Sequence, residues 1–249
     1  MDKGLLQAGA WIKGAYALVA ADSLLWGGTT ALYLLIAAIV LDLPFMGGVL
    51  LILFTPVVIA GVLREAAHPD VAGNSSKRIR DIFVGALRDR ALALPVMSTG
   101  TILLGAWVFL TVLAMVGGID GRSLGLIFAH RDLLGRVFTG LLLLIFWGLQ
   151  VMLAVTVLYV LAAIVLGAAR PMEALEHTLA LWRERPLALT TLGATFVLPL
   201  IVAFYWGPWV RALVALVTLV PLTLAVSLSY RAFKATDRRY DAPLVRKGW

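Results

Sequence analysis

The sequence contains no cysteine, which removes disulfides, thiolate nucleophiles and cysteine-ligated metals from consideration. It is also poor in charge. Only 14% of its 249 residues are Asp, Glu, Lys or Arg, where soluble domains carry about 25%. Histidine is down to three residues, His68, His130 and His177, and these fall in different predicted loops. A shared metal site would therefore need two of them to meet across the fold. No glycine-rich phosphate loop is present either.

What the chain has instead is apolar surface. Hydrophobic residues make up 61% of it and the mean hydropathy is +0.96. A water-soluble core cannot absorb that much. A bilayer can, since a helix of about 20 apolar residues crosses roughly 30 Å of hydrocarbon. Six runs have the length and lack acidic residues: Leu24–Leu41, Phe45–Leu63, Leu92–Val116, Val137–Leu161 (its apolar run continuing to Ala169), Leu187–Trp206 and Val210–Ser229. A barrel would show alternating strands of about ten residues, so the expected class is all-α. Proline at Pro56, Pro199 and Pro221 is compatible with spanning helices and predicts kinks there.

Lys and Arg are retained on the cytoplasmic side of a bacterial inner membrane. With the N-terminus inside, 17 of the 21 basic residues fall in inner segments, leaving Arg122, Arg131, Arg136 and Arg211 outside. Both termini are thus expected in the cytoplasm. The expected organisation is one transmembrane domain over 1–230, with spans at about 24–41, 45–63, 92–116, 137–161, 187–206 and 210–229, followed by a basic cytoplasmic tail over 231–249. Short outer turns at Asp42–Leu43–Pro44 and Gly207–Pro208–Trp209 force antiparallel hairpins; a longer outer loop, Gly117–Arg136, joins spans three and four. Residues 1–14 hold Lys3 and Lys13 and no apolar run of leader length before Ala15–Tyr16–Ala17, so residue 1 is expected to be retained.

An amphipathic helix is predicted before each hairpin. The first carries Leu5, Ile12, Tyr16 and Val19 on one side; the second Ile79, Ile82, Phe83, Ala86 and Leu87; the third, opened by Pro171, carries Met172, Leu175, Leu179 and Trp182. Such helices lie in the membrane interface with the apolar side down. They also expose an internal repeat. Residues 86–94, ALRDRALAL, align with 181–189, LWRERPLAL, matching Arg88, Arg90, Leu92, Ala93 and Leu94 with Arg183, Arg185, Leu187, Ala188 and Leu189. Residues 18–26, LVAADSLLW, occupy the same place before span one without the arginine pair. Each unit would be an interfacial helix plus a two-span hairpin, all in the same orientation.

The candidate sites are few. The basic residues beside the amphipathic helices, Lys77, Arg78, Arg80, Arg88, Arg90, Arg183 and Arg185, are candidates for contact with anionic headgroups or a protein partner, each base contributing about 1 kcal/mol near an anionic surface. Positive-inside retention explains much of the same pattern, and nucleic acid is disfavoured because the charges flank apolar runs. Gln150 is the strongly polar residue at depth in a span, and an interhelical hydrogen bond fits it better than a substrate contact. Glu173 and His177, four apart, suit a solvated surface pair. His130 with Asp132 lacks a nucleophile, and an enzyme reading would need both to converge with Arg122. Gly121 and Gly125 have the dimerisation spacing but lie in a loop; Gly27 and Ala31 suit internal packing. No catalytic, cofactor or metal residue is assigned.

Several stretches resemble a family of uncharacterised proteobacterial six-span inner-membrane proteins, catalogued by a locus tag and without an assigned activity. They are the Trp11-to-Trp26 approach to span one, Leu53–Phe54–Thr55–Pro56, Arg80–Asp81–Ile82–Phe83, Ala169–Arg170–Pro171–Met172–Glu173–Ala174–Leu175, and Pro221 followed by Ser229–Tyr230–Arg231. Where that family commonly has basic residues before span one, this chain has Ala20–Ala21–Asp22. The resemblance implies a six-span topology and supplies no catalytic residues. The expected role is that of a non-catalytic accessory or scaffolding component engaging a protein complex or lipids. The alternative is a small-molecule or lipid permease with a cavity between the repeat units, near Gln150.

Overall fold

The computed structural model describes residues 3–43, 46–67, 74–88, 90–116, 133–204 and 208–236. Their regular structure is entirely α-helical: α1 Lys3–Ala21, α2 Ser23–Leu41, α3 Gly47–Ala67, α4 Ser75–Arg88, α5 Arg90–Val116, α6 Leu133–Gly167, α7 Pro171–Glu184, α8 Pro186–Phe204 and α9 Pro208–Thr236. His68, Trp206, residues 237–249 and residues 117–132 of the outer loop, with Asp120, Arg122, His130, Arg131 and Asp132, lie outside the described residues.

Among the described residues four helices are long and apolar enough to cross a membrane: Ser23–Leu41, Gly47–Ala67, Leu144–Gly167 and Leu213–Ala235. Leu92–Ala106 and Pro186–Phe196 are shorter apolar stretches within α5 and α8. The fourth expected span, 137–161, lies inside a 35-residue helix whose long apolar stretch is set further along, at 144–167. Likewise α9 continues to Thr236, so Arg231 and Lys234, expected at the start of a tail, are helical.

The core is mostly hydrophobic, but the outer surface is apolar too, and several small polar side chains are buried with the core. Leu24, Leu94, Ile102 and Leu144 are 70–74% exposed, whereas Thr29, Thr30, Thr178, Thr218, Thr223, Ser227, Ser229 and Gln150 are buried. In hydrocarbon an exposed leucine loses nothing, while small and hydroxylated residues gain by close packing and hydrogen bonds between helices. Most of the buried hydroxyls return to the carbonyl one turn back, as Thr29 does to Leu25 and Thr178 to Ala174. Others cross between helices. Tyr159 on α6 bonds to Ser229 on α9, Tyr33 on α2 to Thr55 on α3 at 2.8 Å, and the Trp182 indole on α7 donates to Thr156 on α6 at 3.0 Å.

Glycine permits the closest crossings. A methyl at Gly61 would run into the Ile82 carbonyl, so α3 and α4 meet backbone to backbone; Gly100 on α5 likewise receives Pro56 of α3. Around the molecule the packing is cyclic. Helix α4 lies against α2 and α3, α7 against α6, and α1 against α8 and α9, so each helix that precedes an apolar pair packs on the pair before it, the first closing onto the last. The second members, α3, α6 and α9, touch one another at the centre.

On helix α1 the buried face is Ala8, Trp11 and Ala15, with Trp11 edge-on to Phe233 at 5.1 Å; of the expected stripe, Ile12 and Val19 pack partly against the core, whereas Leu5 and Tyr16 are 44% and 40% exposed. In the second helix Ile82 and Phe83 of the stripe are buried against the protein.

Candidate functional site

The starts of α2, α5 and α8 and the ends of α3, α6 and α9 gather at one end of the molecule, and that end is basic. Two of its arginines are committed to the fold. Arg78 on α4 donates to Glu65 on α3 at 2.6 Å and to Asp22 at 2.8 Å, and its side chain is only 14% exposed. Asp22 in turn accepts from the Leu25 backbone N–H at 3.1 Å and caps α2. One arginine thus ties three helices. Arg185, at the end of α7, donates to Gln7 on α1 at 2.5 Å and lies over the Phe233 ring, 5.1 Å from its centroid. Both had been expected to face lipid or a partner. Their acceptors lie far away in sequence, and the folded chain supplies them.

The rest of the expected set is placed differently. Lys77, Arg80, Arg88 and Arg183 are exposed, and Arg80 and Arg88 lie only 3.9 Å from Asp81, an outward-facing and loose arrangement. Arg90 opens α5, and its side chain is not among those described. Gln150 is buried, 3% exposed. Glu173 turns its carboxylate to the Arg170 backbone N–H, 3.1 Å away, across the start of α7. Among the described residues no three His, Asp or Glu side chains come together as a metal site would need.

At the same basic end, where α3, α6 and α9 finish, lies a cavity of about 860 Å³. Its apolar lining includes Leu92 and Pro95 at the start of α5 and Ile164, Val165 and Leu166 at the end of α6. Among the described residues its polar lining holds four cations, Arg64, Arg170, Arg231 and Lys234, and no carboxylate. The local chain explains how they arrive. Helix α6 stops at Gly167, where Tyr230 leaves no room for a side chain; Ala168 takes the left-handed conformation at φ 52°, and the Ala169 N–H reaches back to the Ala163 carbonyl at 3.2 Å. Arg170 is then extended before Pro171 starts α7. Arg231 donates to the Ala66 carbonyl at 3.0 Å, satisfying an orphan acceptor at the end of α3.

Sequence reading counted these four residues toward topology and did not group them, because they come from three separate stretches. The available signal was that each stands at or just beyond the C-terminal end of a long apolar helix. A second, smaller cavity of about 90 Å³ lies among α2, α3, α6 and α9, lined by Thr29, Thr30, Tyr33, Thr55 and Thr223 with aliphatic neighbours. Gln150 lines neither cavity. No protein-family model, curated protein or solved structure matches the chain.

Proposed function

We propose that this chain is a non-catalytic, six-span protein of a bacterial inner membrane, an accessory or scaffolding component that engages anionic lipids or a protein complex through its cytoplasmic face. In this reading α2, α3, α5, α6, α8 and α9 are the spans, paired as three hairpins, and α1, α4 and α7 lie at the cytoplasmic interface. The cyclic packing supports a threefold repeat of helix plus hairpin, as do the helix breaks at Asp22 and Arg185, which fall at equivalent positions of the aligned segments. The positive-inside bias supports the orientation, because the basic end holds the starts of the odd spans and the ends of the even ones.

One observation carries the functional part. Helix α4 buries Ile82 and Phe83 against the spans while Lys77, Arg80 and Arg88 stay exposed on it, as suits a helix at a headgroup layer. The alternative, a permease, draws on the 860 Å³ cavity, which sits at the meeting point of the three units.

The test is purification in mild detergent followed by mass spectrometry of retained lipids and proteins, for the native chain and a Lys77→Gln/Arg80→Gln/Arg88→Gln variant. The reading expects stoichiometric anionic lipid or a defined protein partner, reduced in the variant. A native chain that retains neither contradicts it.

A further inference from the structure

The geometry points to a binding site for a phosphate-bearing anion in the cavity ringed by Arg64, Arg170, Arg231 and Lys234, selective for anions that carry no ammonium group of their own. This deepens the proposed function and rests on its placing of the basic end at the cytoplasmic headgroup layer.

Charge is the first argument. Helix C-termini attract cations one at a time, and that alone accounts for Arg64, Arg231 or Lys234 singly. It does not account for three helix ends turning their cations toward one void whose described lining has no carboxylate. Two described acids close in sequence to these cations are engaged elsewhere: Glu65 receives Arg78 and Glu173 the start of α7. Four like charges about a common space repel one another until an anion enters. Phosphate oxygens match guanidinium forks and an ammonium point charge alike.

The second argument is shape. A cavity of about 860 Å³ falls within the ~300–1,000 Å³ usual for small-molecule sites and exceeds what one phosphate fills. The remaining wall, Leu92, Pro95, Ile164, Val165 and Leu166, is apolar, as suits the glycerol and first methylenes of a phospholipid. The third is selectivity. A zwitterionic headgroup would bring an ammonium into a ring of cations whose described lining offers no carboxylate to receive it, so phosphatidylethanolamine is disfavoured against phosphatidylglycerol.

The experiment is native mass spectrometry of the full chain released from nanodiscs of phosphatidylglycerol or of phosphatidylethanolamine, with a third arm titrating inorganic phosphate into detergent-solubilised protein and following its thermal midpoint. The comparison is with an Arg64→Gln/Lys234→Gln variant and its charge-keeping counterpart Arg64→Lys/Lys234→Arg. The site predicts one tightly held phosphatidylglycerol, at least tenfold preferred over phosphatidylethanolamine, lost in the first variant and kept in the second. A midpoint rise with millimolar phosphate, absent in the first variant, would instead identify a soluble phosphate compound as the source of the same anion. Equal retention of the two lipids, or binding untouched by Arg64→Gln/Lys234→Gln while the protein keeps its midpoint, overturns the site. Because Lys77, Arg80 and Arg88 are intact throughout, a failure here leaves the surface reading of α4 standing, and the reverse also holds.

Discussion

Arg78 lies 2.8 Å from Asp22, a residue 56 positions earlier, while its Nε holds Glu65 at 2.6 Å. The start of α2, the end of α3 and the face of α4 are therefore joined through a single guanidinium. In the sequence alignment Asp22 falls opposite Arg90 and Arg185, and in the folded chain it receives an arginine from α4.

Replacing Arg78 with glutamine leaves two carboxylates together without their cation. The expected loss is about 2–4 kcal/mol of stability, seen as a clear drop of the thermal midpoint in detergent. Arg80→Gln, two residues away and pointing outward, should change the midpoint little. Equal effects from the two would show that the Arg78 contacts do not hold the helices together.

The α3–α4 crossing makes a sharper test, because it depends on the absence of one carbon. Gly61→Ala drives a methyl into the Ile82 carbonyl and should cost about 1–3 kcal/mol as an overpacking change. Gly85 sits on the partner helix with open space where its Cβ would be; Gly85→Ala should leave stability unchanged or raise it by up to about 1 kcal/mol through helix propensity. Unfolding of both variants in one detergent, side by side, decides it.

Ala168 holds a left-handed conformation that L side chains resist. Ala168→Gly removes that strain and should stabilise the chain by about 1 kcal/mol, without disturbing the turn that delivers Arg170 to the cavity. A lower midpoint for this variant would mean that α6 does not end as described.

The hydrogen bond from Trp182 to Thr156 joins α7 to α6 at 3.0 Å. A double-mutant cycle with Trp182→Phe and Thr156→Val should return a coupling of about 0.5–1.5 kcal/mol. Additive effects would place α7 away from this position.

Much of this was legible in the sequence, and the rest was hidden for physical reasons. Apolar runs mark α2, α3, α6 and α9 because crossing hydrocarbon is a local demand on consecutive residues. For α1 the periodicity marks an apolar stripe, but beside lipid such a stripe does not say which residues meet protein: Ile12 and Val19 pack partly on the core, while Ala8, Trp11 and Ala15 are buried. Arg78 and Arg185 read as surface charges because Asp22, Glu65, Gln7 and Phe233 approach them only after folding. The cavity was hidden for the same reason. Arg64, Arg170 and Arg231 are far apart in sequence until three helix ends meet.

The orientation of the basic end underlies all of these functional readings, and the cysteine-free chain allows it to be measured directly. Single substitutions Ser76→Cys, on α4, and Asp120→Cys, between α5 and α6, are treated with a membrane-impermeant maleimide in cells with an intact inner membrane, then again after permeabilisation. The account predicts that Asp120→Cys is labelled at once and Ser76→Cys only after permeabilisation. Labelling of Ser76→Cys from outside, or of both positions alike, would contradict it.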